Sequence, residues 1–242
     1  MMPIGRVCEL ARYPVKSMAG ASLESADLGL HGIEGDRRFA FRRVGDGTGF
    51  PFLTAGRFPA MLTYQPVGLG ETTGEPLPTH VRTPSGSELE LRSDELRDEI
   101  VRRSGHDVEL MMFKHGIFDD GTLSIISATT IDAICAEAGV ETDRRRMRAN
   151  IVLETDGLPP FGEDAWIGAT LVLGDAIVSV TARDERCAMV NIDPDTGARD
   201  PRVMKAVVRM NGNYAGVYAT VVRAGTIHVG ETVHLVRAAV SS

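Results

Sequence analysis

Apolar and polar residues alternate imperfectly from Arg6 to Tyr13, until Pro14 interrupts the run. That is the signature of a half-buried strand. Residues 35–44 carry Arg37-Arg38-Phe39-Ala40-Phe41 and predict a second strand, and Gly45-Asp46-Gly47-Thr48-Gly49 predicts the turn after it. Residues 68–78, rich in Gly, Thr and Pro, read as a loop. At Ser93 the period changes. Ser93 fits an N-cap, Asp94 and Glu95 fill a first turn, and Leu96, Ile100 and Val101 line a short helix that stops at Gly105.

The pattern then repeats in another order. Leu123-Ser124-Ile125-Ile126 predicts a short strand, and Ser127 caps a helix whose stripe is Ile131, Ile134, Cys135 and Ala138, ended by Gly139. Residues 150–154 and 170–180 predict strands. Pro201, preceded by Asp200, fits the first turn of a third helix carrying Val203, Val207 and Met210. Residues 214–223, 226–229 and 232–236 predict three closing strands. The fold class is α+β, mainly β, with barrel-like architecture and a few short helices rather than a wound parallel sheet. The chain divides near His115, into residues 1–115 and 116–242.

Composition narrows the function. The 242 residues carry a net charge of −7, against the basic surface that nucleic-acid binding needs, although a local basic pocket for a small anion remains open. No apolar run has signal-peptide or membrane-spanning length, so no membrane partner is expected. Three cysteines, Cys8, Cys135 and Cys187, make no disulfide framework and suggest a reducing compartment. A cytoplasmic location is expected. The six histidines lack zinc-ligand spacing, and Asp193 and Asp195 lack the closing Glu of a calcium loop. No Walker motif, Ser elbow or dinucleotide fingerprint is present, so direct hydride transfer from a nicotinamide is not expected.

The candidate chemistry gathers around Cys187. It follows Arg186, comes after the strand predicted at 170–180, and precedes the turn Asp193-Pro194-Asp195-Thr196-Gly197. Arg183 and Arg186 would favour its thiolate, which is either a nucleophile or a soft metal ligand. Free cysteine more often packs as a small inert hydrophobe, and for Cys187 alone that is the ordinary reading. Lys16 and Ser17 follow the first strand, Asp36-Arg37 opens the second, Ser127 and Thr129 start a helix, and Arg148 and Asn150 flank a strand start. Singly, Lys16 reads as solvated, Arg37 as paired with Asp36, and Ser127 as a cap. Together they could line an anion pocket.

Seven segments in register resemble one family: Tyr13-Pro14-Val15-Lys16-Ser17, Gly35-Asp36-Arg37, Arg148-Ala149-Asn150-Ile151-Val152, Glu163-Asp164-Ala165-Trp166, Arg186-Cys187, Asp193-Pro194-Asp195-Thr196-Gly197 and the closing Gly225-Thr226-Ile227-His228-Val229-Gly230-Glu231. The chain resembles the MOSC-domain proteins, including the mitochondrial amidoxime-reducing component and its bacterial relatives. The resemblance implies a MOSC N-terminal β-barrel domain over 1–115 and a MOSC domain over 116–242 that binds the molybdenum cofactor. It implies Cys187 as molybdenum ligand and catalytic residue. It also implies Lys16, Ser17, Arg37, Arg148, Asn150 and Arg186 as cofactor-binding residues, with Ser127 and Thr129 matching less closely. The implied activity is reduction of a small N-hydroxylated substrate: an amidoxime, a hydroxylamine or an N-hydroxylated base. Three cysteines cannot supply a plant-type [2Fe–2S] centre as well as molybdenum, so the implied electron donor is separate, a ferredoxin or a flavoprotein–haem relay. An association with pyridoxal phosphate exists at family level only. The competing expectation is a carrier of the cofactor or of a persulfide on Cys187. Two positions depart from the family pattern: Ala149 stands where Pro is frequent, and Glu185 precedes Arg186.

Overall fold

A computed structural model describes residues 1–70, 76–118 and 121–236; part of the loop expected at 68–78 lies outside them. The chain opens with β1 (Met2–Arg12), β2 (Ala21–Leu23), β3 (Ser25–Gly29) and β4 (Gly32–Ile33). Next come β5 (Phe39–Arg43), β6 (Gln65–Val67), β7 (His80–Arg82), β8 (Glu88–Glu90), α1 (Asp94–Ser104) and β9 (Val108–Met112). The second half runs β10 (Leu123–Ser127), α2 (Ala128–Ala138), β11 (Ile151–Thr155), β12 (Thr170–Leu173) and β13 (Ala176–Glu185). It ends with α3 (Arg202–Asn211), β14 (Tyr214–Arg223), β15 (Gly225–His228) and β16 (Thr232–Val236).

The largest sheet runs β11-β10-β14-β13-β12-β16-β1, and β1 pairs back onto β11. That closes a seven-stranded barrel, with β2 added beside β1. Closure leaves the barrel no free edge. Its interior is filled by Val7, Leu10, Ile125, Leu153, Leu171 and Val217, all buried. Each such side chain contributes about 1.5–3 kcal/mol on burial. Val7, Leu10, Ala26, Leu28 and Ile33 share this core with the C-terminal half, so the chain begins in the barrel, leaves it, and returns. The excursion builds a smaller lobe from the β5–β9 pair, the β6-β7-β8 meander and α1, around Phe39, Phe41, Met61, Tyr64, Leu96 and Ile100.

The helices follow their predicted signals. The Ser93 and Ser127 side chains accept the Leu96 and Thr130 N–H groups, and Gly105 and Gly139 end the helices in left-handed conformation. Ile131, Ile134 and Cys135 of α2 pack with Val203 and Val207 of α3, and Cys135 is a buried core residue whose thiol is pushed up by burial. Two expectations are corrected. Residues 170–180 are two strands: β12 and β13 pair across Leu173 and Ala176, and Gly174 (φ 55°) makes the turn. The apolar run hides that turn because both strands send Leu171, Leu173, Ala176 and Val178 inward. The strand expected over 35–44 begins only at Phe39, because Gly35 and Arg37 have positive φ.

Gly5 (φ 147°) lies where β1 contacts both neighbours, opposite Thr155 of β11 and Val233 of β16. A Cβ there would stand 2.1 Å from the Glu154 carbonyl oxygen. Gly5→Ala is therefore expected to lower the unfolding free energy by about 1–3 kcal/mol, read by urea denaturation. A loss of only a few tenths would show that the barrel seam tolerates a side chain.

Candidate functional site

The segment from Tyr13 to Ser17 leaves the barrel beside the approach to β5. Val15 bridges Phe39, the Lys16 N–H donates to the Phe39 carbonyl at 2.7 Å, and the Arg37 N–H donates to the Tyr13 carbonyl at 2.7 Å. Beneath them lies the buried carboxylate of Asp36. It accepts the Tyr13 N–H at 2.6 Å and Asn150 Nδ2 at 3.1 Å, and it pairs with the Arg37 guanidinium. So the ordinary reading of Arg37, a pair with Asp36, holds. The guanidinium also reaches Asn150 Oδ1 at 3.3 Å and lies 5.3 Å from the Tyr13 ring centroid.

Arg148 approaches the same ring at 4.2 Å and donates to the Met18 carbonyl at 2.7 Å. Tyr13 is buried, its hydroxyl donates to the Ala149 carbonyl, and burial raises its pKa. Lys16 is buried rather than solvated, with Nζ 5.4 Å from the Phe50 ring. Ser17 (φ 68°), Arg37 (φ 49°) and Arg148 (φ 51°) all hold left-handed backbone. Non-glycine residues adopt it rarely, and it costs of order 1–3 kcal/mol per residue. Strain at three residues of one cluster marks a place where the fold sacrifices stability to aim side chains.

Cys187 follows β13 and begins a 3-10 turn over Ala188–Asn191. Cys187 is exposed, so it is not the buried cysteine of the ordinary reading. Cys8 is half-buried, donates to the Val152 carbonyl, and has its thiol pushed up by burial. The loop after Cys187 is held from several sides. Asp193 Oδ1 accepts the Asp195 and Thr196 N–H groups, and Gly197 (φ 71°) completes the turn. Arg146 pairs with Asp193 at 2.7 Å, Arg145 clamps Asp195 at 2.8 and 2.7 Å, and Ile192 packs with Ala55 and Leu62 of the smaller lobe.

The sequence-predicted residues do not all converge. Arg37, Arg148 and Asn150 come together around Asp36 and Tyr13, and Lys16 and Ser17 adjoin them through the backbone tied to Phe39. Asn150, however, spends its amide on Ala11, Asp36, Ser124 and Arg37, so it positions its neighbours. Arg186 is buried. Its guanidinium donates to the Met147 carbonyl at 2.6 Å and the Ala215 carbonyl at 2.7 Å, and pairs with buried Asp184 at 2.9 Å. Arg183 lies 3.8 Å over the Tyr214 ring. These contacts direct both arginines elsewhere than the Cys187 thiol they were expected to serve. Ser127 caps α2 and donates to Glu163 at 3.0 Å, away from the Arg37 cluster, while Thr129 is half-buried in the first turn of α2. Three contributors were missed: Tyr13, Asp184 and Glu163. Tyr13 and Glu163 lie inside the quoted segments, but only contacts reveal their use.

A cleft of about 270 Å³ opens beside this cluster. Tyr13, Leu62, Gln65, Arg145, Arg148 and Asp195 are among its lining residues; Cys187, Lys16, Ser17 and Arg37 are not. It shares one wall with the cationic cluster and does not contain the thiol.

Two family models cover the chain: the MOSC N-terminal beta barrel domain over residues 4–113 and the MOSC domain over residues 112–234. The chain is a MOSC-domain protein. Such domains are associated with molybdenum-cofactor sulfurase-like proteins. Among solved structures, the MOSC-domain chain is similar to the YUAD protein from Bacillus subtilis, at 15% identity and a TM-score of 0.53, over 96% of this chain and 95% of that one. It is also similar to YiiM from Geobacillus stearothermophilus, at 20% identity and a TM-score of 0.40, over 50% of this chain and 57% of that one. No curated protein matches it. Among the described residues no helix is long and apolar enough to cross a membrane.

Asp36 and Glu163 each carry a testable consequence. Asp36→Ala leaves Arg37 and Asn150 without their common partner and should cost about 3–5 kcal/mol in denaturant unfolding. A loss under 1 kcal/mol would mean that the cluster does not depend on Asp36. Glu163 is fully buried and accepts Ser127 and Thr130, but burial dominates and raises its pKa. A carboxyl group raised on folding loses stability as pH climbs from its unfolded value of about 4.3 through its folded value. The stability of Glu163→Gln relative to the natural protein should therefore grow across that window. A difference independent of pH would refute this assignment.

Proposed function

We propose that this protein is a molybdenum-cofactor-dependent reductase of N-hydroxylated compounds. The observation that carries the reading is one exposed thiol, Cys187, on a loop clamped to the segment that ends in Arg148. The donor set fits such a cofactor. A sulfur-preferring metal takes the Cys187 thiolate, and Lys16, Ser17, Arg37 and Arg148 supply cationic and hydroxyl donors for a phosphate. Among the described residues no group of three or more His, Cys, Asp and Glu offers a competing metal cage. When bound, the molybdenum centre supplies two-electron removal of the substrate's oxygen. The protein supplies a ligand, orientation and charge. Asn150 and Arg186 act one step back, by holding Arg37 and the approach to Cys187. A separate one-electron donor, a ferredoxin or flavoprotein–haem relay, would restore the reduced state.

The exposure of Cys187 also suits a persulfide or cofactor carrier, and one experiment separates the two readings. The protein is purified from a cofactor-competent host, its molybdenum is measured, and benzamidoxime reduction is assayed with an artificial one-electron donor. Bound molybdenum with turnover is expected, with both lost in Cys187→Ser. Full turnover in Cys187→Ser would remove the ligand assignment, and metal-free protein with labile sulfur on Cys187 would favour the carrier.

A further inference from the structure

The end of β13 sorts its side chains onto two faces. Asp184 and Arg186 are buried, whereas Arg183, Glu185 and Cys187 are exposed. Cys187 is still extended (φ −104°, ψ 173°), so Glu185 and Cys187 project to the same side, roughly 6–7 Å apart along the chain. Glu185 is therefore a neighbour of the thiol on its open face.

Its carboxylate is also held in place. Asn213 Nδ2 donates to Glu185 Oε1 at 3.0 Å. Asn213 itself has left-handed backbone (φ 89°), and its carbonyl accepts the Arg186 N–H at 2.8 Å. The residue that orients Glu185 is thus locked by the chain one step before Cys187. The orienting group is a neutral amide, so the negative charge is aimed without being neutralised. The nearby cation is engaged elsewhere: Arg183 stacks on Tyr214 at 3.8 Å and lies 4.0 Å from Asp164. Among the described residues no cation pairs with Glu185.

We infer that Glu185 is a specificity-determining residue that selects cationic N-hydroxylated substrates, of the N-hydroxyguanidine class, over neutral ones. This rests on the reductase reading above. A planar guanidinium presents parallel N–H donors that match a carboxylate in two-point contact. Held by Glu185, the substrate would sit on the face that also carries Cys187. Glu185 is exposed, and exposed ion pairs are weak, so the expected shift in selectivity is about two- to five-fold.

The test compares N-hydroxyguanidine with N-hydroxyurea, its neutral near-isostere, using the molybdenum-loaded natural protein and Glu185→Gln. Gln keeps an acceptor for Asn213 and removes the charge. The ratio of kcat/KM for the cationic over the neutral compound should fall about two- to five-fold, with the loss for the cation appearing in KM. The metal content of both samples is determined alongside. An unchanged ratio overturns the proposal, as does a loss shared equally by both compounds. A second arm titrates guanidine into the metal-free proteins by calorimetry; weaker binding to Glu185→Gln is expected, and equal binding overturns the proposal. If the loaded natural protein reduces neither compound, the reductase reading fails, and the titration still decides whether Glu185 receives a cation.

Discussion

A carboxylate removed from water must be surrounded by donors or it is not tolerated. Asp36 meets that demand with three groups distant in sequence: the Tyr13 N–H, the Arg37 guanidinium and the Asn150 amide. The end of β1, the approach to β5 and the start of β11 are thereby tied at one point. Arg148 then reaches over Tyr13 to the Met18 carbonyl and closes the cluster from the other side. Ser17, Arg37 and Arg148 hold left-handed backbone around this point, and from that conformation the Arg37 guanidinium meets the carboxylate.

The thiol is placed by a different kind of contact. Arg186 and Asp184 are both buried, and their guanidinium and carboxylate are further satisfied by Met147, Ala215 and Ser124. Removing one partner there would strand a charge, so the pair holds the end of β13 in place. The Arg145–Asp195 clamp is mostly exposed, where ion pairs contribute about 0–1 kcal/mol, and it guides the loop more than it stabilises it. Cys187 emerges between these two anchors with its own side chain uncommitted to the core. A rigid surround with an exposed sulfur is what a metal-ligating or group-carrying cysteine requires.

Much of the local structure was legible from residue order alone. The apolar stripe of α2 marked Cys135 for burial, and the caps at Ser93 and Ser127 and the left-handed glycines that end α1 and α2 depended on interactions within a few residues. So did the turn at Asp193 to Gly197, whose hydrogen bonds close on themselves. The hairpin at Gly174 was not legible, because two inward-facing strands in succession read as one apolar run.

The site divides along the same line. Sequence by itself determined the mainly β class, the family, and which polar residues stand at breaks between elements. Only the tertiary structure decided their tasks. Asn150 and Arg186 proved to be braces, Ser127 a cap bound to Glu163, and Lys16 a buried cation. Periodicity tells which way a side chain points from its own strand, as it does for Glu185 beside Cys187. It carries no record of which distant carbonyl or carboxylate will meet that side chain when the barrel closes, and that meeting decides whether a charge is spent inside the fold or left facing a ligand.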